Sequence, residues 1–270
     1  MVPDGTVGNS EFDLAARLTG EGPDLFAELP GNWGGEVSVN GGFMLSLLTQ
    51  AMDRITPFPD PIVVSGFYLR PGTAGPAEIR TELIRAGRTT AFAQAGLWRD
   101  GKETVRATAA FTDLDQAGDP SWPVFTGGTA PALPPPEECV APRPGLVRGI
   151  SITDHFEYRY TEPPGWMKGI LSGNPSAEFY MRFSDGREPD SLSLPLFVDA
   201  AAPAVLEVGA RLVTTIELSV HLRARPAPGW LSCRSSTRFL ADGYHEEDFE
   251  AWDSTGTLVA QSRQLAVLLK

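Results

Sequence analysis

The chain is written twice. When the sequence is shifted by 155 residues, Arg70-Pro71 falls on Arg225-Pro226, Gly101 on Gly256, and Met44–Met52 on Asp199–Glu207. Trp98 meets Trp252 within one residue. Further upstream the offset shrinks, and Phe12 in EFDLAARL lies against Phe156 in HFEYRY, each read as opening a short strand-like segment. An internal repeat of this size means one supersecondary unit used two times, each copy burying its apolar face in the same way.

Each copy reads as two short strands, a helix, and three or four longer strands. In the first, Asn40 can cap a helix whose apolar residues Phe43, Met44, Leu47, Leu48, Ala51, Met52 and Ile55 share one broad face. Strands are expected at 62–70, 77–86, 89–98 and 103–112, with turns at Gly87 and Asp100-Gly101. In the second copy, Ile152–Tyr160 alternates as a strand does, and further strands are expected at 178–183, 212–223, 230–239, 244–252 and 258–268. Gln116–Gly145 holds eight prolines and little periodicity, and reads as an extended surface linker. The expected organisation is a first repeat over 1–116, a linker over 117–145 and a second repeat over 146–270. The fold class is α+β: a long helix on each half of one continuous antiparallel sheet, since two copies joined edge to edge leave fewer strand edges unpaired.

Composition narrows the function classes. A net charge of −12 over 270 residues argues against a nucleic-acid partner. No apolar run is long enough for a membrane helix; the longest, Leu194–Ala210, is broken by Asp199, Pro203 and Glu207. The N-terminal stretch lacks an export pattern, and Cys139 and Cys233 make no disulfide framework or zinc cluster, so a cytoplasmic setting is expected. No nucleophile elbow, GxGxxG, GxxxxGK or HExxH occurs. His155, His221 and His245 all fall in strand-like segments, with His245 read as part of a solvated face, which disfavours Ser/His/Asp chemistry.

Asp199 stands out, a carboxylate among the apolar residues of LPLFVDAAAPAVL. Burying it is costly unless it is hydrogen-bonded or used. Pro203 lacks the N–H that would bond the Asp199 carbonyl, so the helix is disturbed there. Thr215 in VTTIEL and Gln264 in AQSRQLAVL lie where the repeat brings strands near that carboxylate. At the 155-residue offset the first copy has Met44, Asp60 and Ala109, so one catalytic centre is expected per chain. A carboxylate, a hydroxyl and a carboxamide can hold and polarise one water for attack on a carbonyl. Gly34-Gly35 and Gly41-Gly42, before the first helix, would let a carbonyl approach backbone donors.

NWGGEVSVNGG and VVSGFYLRPGTAGPAEIRTELIRAGR resemble the N-terminal half of acyl-CoA thioesterase II-like proteins, and LFVDAAAP, VTTIELSVHLRARP and GTLVAQSRQLAVL resemble the C-terminal half. The resemblance implies a double hot-dog fold, acyl-CoA hydrolysis without metal or cofactor, and Asp199, Thr215 and Gln264 as the catalytic set, with Thr214 a one-residue alternative. Gly34, Gly35, Arg70, Arg223 and Arg225 are the candidate substrate-binding residues, the arginines for the CoA phosphates. A homodimer or homotetramer is expected. Two rivals stay open: a hot-dog hydratase or dehydratase on acyl thioesters, which would need a His–carboxylate pair, and a non-catalytic acyl-thioester or lipid-binding protein.

Overall fold

The structure, a computed structural model, describes residues 10–35, 37–116, 121–123, 125–143 and 150–269. Its strands are β1 (Thr19–Glu21), β2 (Asp24–Leu29), β3 (Asp60–Tyr68), β4 (Gly75–Ala86), β5 (Ala91–Arg99), β6 (Lys102–Thr112), β7 (Phe156–Tyr160), β8 (Ser176–Phe183), β9 (Val213–Leu222), β10 (Leu231–Ser236), β11 (Leu240–Ala241), β12 (Tyr244–Trp252) and β13 (Leu258–Leu268). All join one antiparallel sheet in the order β1-β2-β4-β5-β6-β3-β9-β13-β12-β10-β8-β7, with β11 on β12. Read from either end toward the middle, the strands appear in the same succession, which is the spatial form of the sequence repeat.

The seam is the β3–β9 pair, running from Val63↔His221 to Phe67↔Glu217. Ser65 and Ser219 face each other at its centre with hydroxyls 2.8 Å apart. Both strands carry a bulge, at Ile62 against β6 and at Ile216 against β13. The equivalence at the seam is therefore 154 residues, one less than the shift read from the sequence. Thr215 accordingly corresponds to Pro61 and not to Asp60, while Gln264 still corresponds to Ala109.

Helix α2 (Gly41–Asp53) lies on β3, β4, β5 and β6. Asn40 caps it by accepting the Phe43 N–H. Ten of its thirteen residues are buried, so the helix is enclosed and not merely laid on a surface. The expected long helix of the second copy does not form. In its place stand a four-residue helix α3 (Leu194–Phe197), a turn holding Asp199, and a 3-10 segment at Ala204–Val208. The apolar composition of this stretch suggests a helix. The ladder ends where the Asp199 N–H turns back to the Leu196 carbonyl; Pro203, extended and without an N–H, starts a separate 3-10 segment, and Gly209 in the left-handed region closes its last turn.

The expected strand-like segment at Phe12 is likewise a helix, α1 (Glu11–Ala15), capped by Ser10, whose hydroxyl accepts from the Asp13 N–H. It docks on the second copy. Phe12 stacks on Phe183 at 5.6 Å, Asp13 pairs with Arg187, and the Glu11 carboxylate meets His155 Nδ1 at 2.7 Å. Of the Pro-rich stretch, 117–120, 124 and 144–149 lie outside the described residues. Pro136–Glu138 forms a 3-10 turn, and Val140 pairs its backbone with Tyr160 along the outer edge of β7.

Candidate active site

Asp199 emerges from the turn after α3 and points at the N-terminus of α2. Its Oδ2 accepts the Gly42 N–H at 2.7 Å and the Asn40 Nδ2 at 3.0 Å, and its backbone carbonyl accepts Asn40 Nδ2 at 2.9 Å. Asn40 thus caps α2 with its carbonyl oxygen and locks Asp199 with its amide. Helix N-termini favour an anion at this position. The approach is close enough to demand glycine. A Cβ on Gly42 would lie 2.5 Å from the Pro195 carbonyl and 2.7 Å from Asp199 Cβ. Asp199 retains some exposed surface, yet burial pushes its carboxyl up to about 6, against the pull of the Gly42 N–H and Asn40.

Thr215 and Gln264 come together one layer below. Thr215 pairs with Ala266 on β13, and the Gln264 amide Nε2 donates to the Thr215 hydroxyl at 2.7 Å. Thr214 is exposed on the other face of β9, so Thr215 is the residue that meets Gln264.

Glu247 ties the two groups together and escaped sequence reasoning. It stands opposite Gln264 on β12, and such pairs share a face of the sheet. Its Oε2 accepts the N–H of Ala204, the first residue beyond Pro203 in the Asp199-bearing segment, at 2.7 Å. Burial pushes its carboxyl up to about 8, against the Ala204 N–H and with the Asp199 and Asp248 charges adding. His245 shares this inward face, 1% exposed, with Nε2 unpartnered; the expectation that it lies on a solvated face is corrected. The period-two burial of β12 hides it among the acidic residues of YHEED, and burial lowers its basicity.

The candidate substrate-binding residues divide. The Gly34 N–H is directed at Ser151 Oγ (3.4 Å) and the Gly35 N–H at the Ser38 carbonyl (2.9 Å), so both donors are engaged inside the protein. A Cβ on Gly34 would meet the Ser38 carbonyl at 2.2 Å, which accounts for that glycine by loop packing. Arg225 is bound by both oxygens of Asp60 (2.7 Å each) and by Asp115 (2.8 Å), a carboxylate pair that leaves it poorly placed for a phosphate. Arg70 is exposed, with its guanidinium donating to the Glu103 carbonyl, and Arg223 is exposed.

Comparison with known proteins agrees with this architecture. An uncharacterised protein of Mycobacterium tuberculosis is 26% identical over 268 residues, covering 89% of each chain. The crystal structure of a candidate thioesterase II from Thermobifida fusca is 29% identical and superposes with a TM-score of 0.86 over 97% of this chain and 98% of its own. A protein of unknown function with the hot-dog fold from Alicyclobacillus acidocaldarius, 20% identical, gives a TM-score of 0.85 over 97% and 99%. The fold is the hot-dog fold. Residues 29–112 match the N-terminal domain and residues 131–268 the C-terminal domain of acyl-CoA thioesterases; the chain belongs to that family and is a thioester hydrolase. Among the described residues no helix is long and apolar enough to cross a membrane.

Proposed function

We propose that the chain is a double hot dog, residues 1–116 and 146–270 joined by the 117–145 linker, that hydrolyses an acyl-CoA to free acid and CoA with a water held by Asp199, Thr215 and Gln264. The supporting observation is Asp199 itself, a carboxylate fixed by two donors at the mouth of α2, with its basicity raised toward neutral pH. A base that titrates near the working pH is well matched to proton transfer. The Thr215 hydroxyl, already accepting from Gln264, has its proton free to orient the water. The water oxygen bonds to the thioester carbon and its proton passes to Asp199. Collapse of the tetrahedral intermediate breaks the C–S bond, and the thiolate takes the proton back. Arg70 and Arg223 remain candidates for the CoA phosphates.

The hydratase reading requires a His–carboxylate pair at the site. Among the described residues the His ion pair is His155–Glu11, whose other ring nitrogen bonds the Asn32 carbonyl and whose ring stacks on Trp33 at 3.8 Å. This arrangement fastens α1. The reading also includes a cytoplasmic setting and a closed homodimer or homotetramer. A mass near 29 kDa by light scattering at micromolar concentration would refute self-association.

The test is Asp199→Asn. Thiol release from a panel of acyl-CoAs should fall by about 10² to 10⁴-fold while the fold persists. In the parent enzyme kcat/KM should be lost as pH drops through about 6, where the carboxylate takes up its proton. Undiminished turnover by the variant would remove Asp199 from the mechanism.

A further inference from the structure

Attack on a thioester builds negative charge on the carbonyl oxygen, and that oxygen needs a hydrogen-bond donor aimed at it. The N–H groups of Gly34, Gly35 and Gly42 are all engaged within the protein, on Ser151, Ser38 and Asp199. Strand β3 carries another donor. Val64 is buried, and Gly66 faces Leu45 of α2 so closely that a Cβ would meet it at 2.8 Å. Alternation along the strand then turns Tyr68 to the same face. The seam pairing ends at Phe67↔Glu217, so Tyr68 comes next to the bulge at Ile216, the neighbour of Thr215. From the other side α2 closes down on the ring. A Cβ on Gly41 would lie 3.0 Å from Tyr68 Cε1 and 3.1 Å from Asp199 Oδ2. Tyr68 therefore lies beside Asp199 at the start of α2, on the strand that pairs with the Thr215-bearing β9, and among the described residues its buried hydroxyl has no hydrogen-bond partner. Buried hydroxyls are rarely left so, and one placed beside the acid of a site asks for an occupant.

We propose that Tyr68 is a catalytic residue, its O–H donating a hydrogen bond to the thioester carbonyl oxygen and to the oxyanion formed on attack. The proposal rests on the acyl-CoA hydrolase reading above. The proton stays on the phenol throughout: the carbonyl π pair moves onto oxygen as water adds, and returns as the C–S bond breaks. Burial, with the Asp199 and Glu217 charges adding, holds that proton well above the usual tyrosine range, so Tyr68 acts as a donor and never as a base. At the equivalent place 154 residues on stands Leu222, which offers no donor. The first repeat thus contributes the carbonyl donor and the second the water-holding set.

The experiment is Tyr68→Phe, which removes one oxygen and preserves the ring. We expect kcat to fall about 10² to 10³-fold, the range for one oxyanion donor, with a much smaller rise in KM and thermal stability undiminished. Two non-hydrolysable ligands separate carbonyl binding from packing. S-(2-oxoalkyl)-CoA keeps a carbonyl and should bind the variant more weakly, whereas an S-alkyl-CoA thioether lacks one and should bind as before. Unchanged kcat, or equal weakening of both ligands, overturns the proposal. Neither result touches the Asp199 reading, which the Asp199→Asn variant tests separately.

Discussion

The inward faces of the two halves of the sheet pair strand for strand and differ in chemistry. In the first half the pairs between β5 and β6 are Ala91↔Phe111, Ala93↔Ala109 and Ala95↔Ala107. The corresponding pairs in the second half are His245↔Ala266, Glu247↔Gln264 and Phe249↔Ser262. The alanines lie beneath an unbroken, largely buried helix, where small side chains allow close approach. The polar residues lie beneath a short helix and a 3-10 segment separated by the turn that holds Asp199. The broken segment exposes backbone N–H groups that a carboxylate can use, and Glu247 uses the one on Ala204. One copy is packed for stability; the other gives up regular structure to place an acid at the end of its neighbour's helix. Proteins commonly trade stability for a site in this way.

The comparison can be broken most severely by exchanging the two chemistries. Ala93→Glu puts the residue of the second half under α2, where no free N–H waits for it. A buried unpaired carboxylate there should cost about 4 kcal/mol or more, or prevent folding outright, as read by denaturant titration. Retained stability would show that α2 tolerates the polar lining after all.

A smaller effect tests whether the second half is strained by its acid. The folded-state pKa of Asp199, about 6, lies above the ordinary carboxylate value of 3.8 because the group is buried. Its ionisation therefore opposes folding: the stability this one group contributes is fully present below about pH 4 and is lost as pH rises through about 6. Asp199→Asn should stabilise the protein at pH 8 by on the order of 1 to 3 kcal/mol, with the gain vanishing below about pH 4. A variant less stable than the parent at pH 8 would mean that the hydrogen bonds to the carboxylate outweigh its burial.

The mildest intervention is Asn40→Ala, which removes the cap of α2 and both amide bonds to Asp199. A loss of about 1 kcal/mol is expected from the cap, together with roughly a tenfold fall in kcat from a loosened Asp199. A normal kcat would leave Asn40 as a cap alone.

The sheet was legible because strand alternation and turn residues recur in both copies. The offset was one residue out at the seam because bulges leave no mark in an apolar run. Asp199, Thr215 and Gln264 could be picked out as polar residues in apolar surroundings, and Gln264 and Thr215 do touch. The broken helix was half visible: Pro203 signalled a disturbance, but the surrounding alanines and leucines still suggested a helix. Asn40 read only as a cap, because its second partner lies 159 residues away. Arg225 read as a free cation for the same reason, since Asp60 lies 165 residues from it. Tyr68 is an ordinary strand tyrosine until the start of α2 and Asp199 close on it.

Helix α1 has a consequence for the order in which the chain is made. Phe12 sits among Trp33, Phe43 and Phe183, and its flanking acids are held by His155 and Arg187. A ribosome delivers the first three rings early and their remaining partners more than a hundred residues later. At about 5 to 20 residues per second the interval is on the order of ten seconds. Through that time the earliest aromatic surface of the nascent chain has no cover of its own, and it becomes a place where a chaperone would be expected to hold on. Release then precedes completion of the fold, since β9 to β13 follow the segment that covers Phe12.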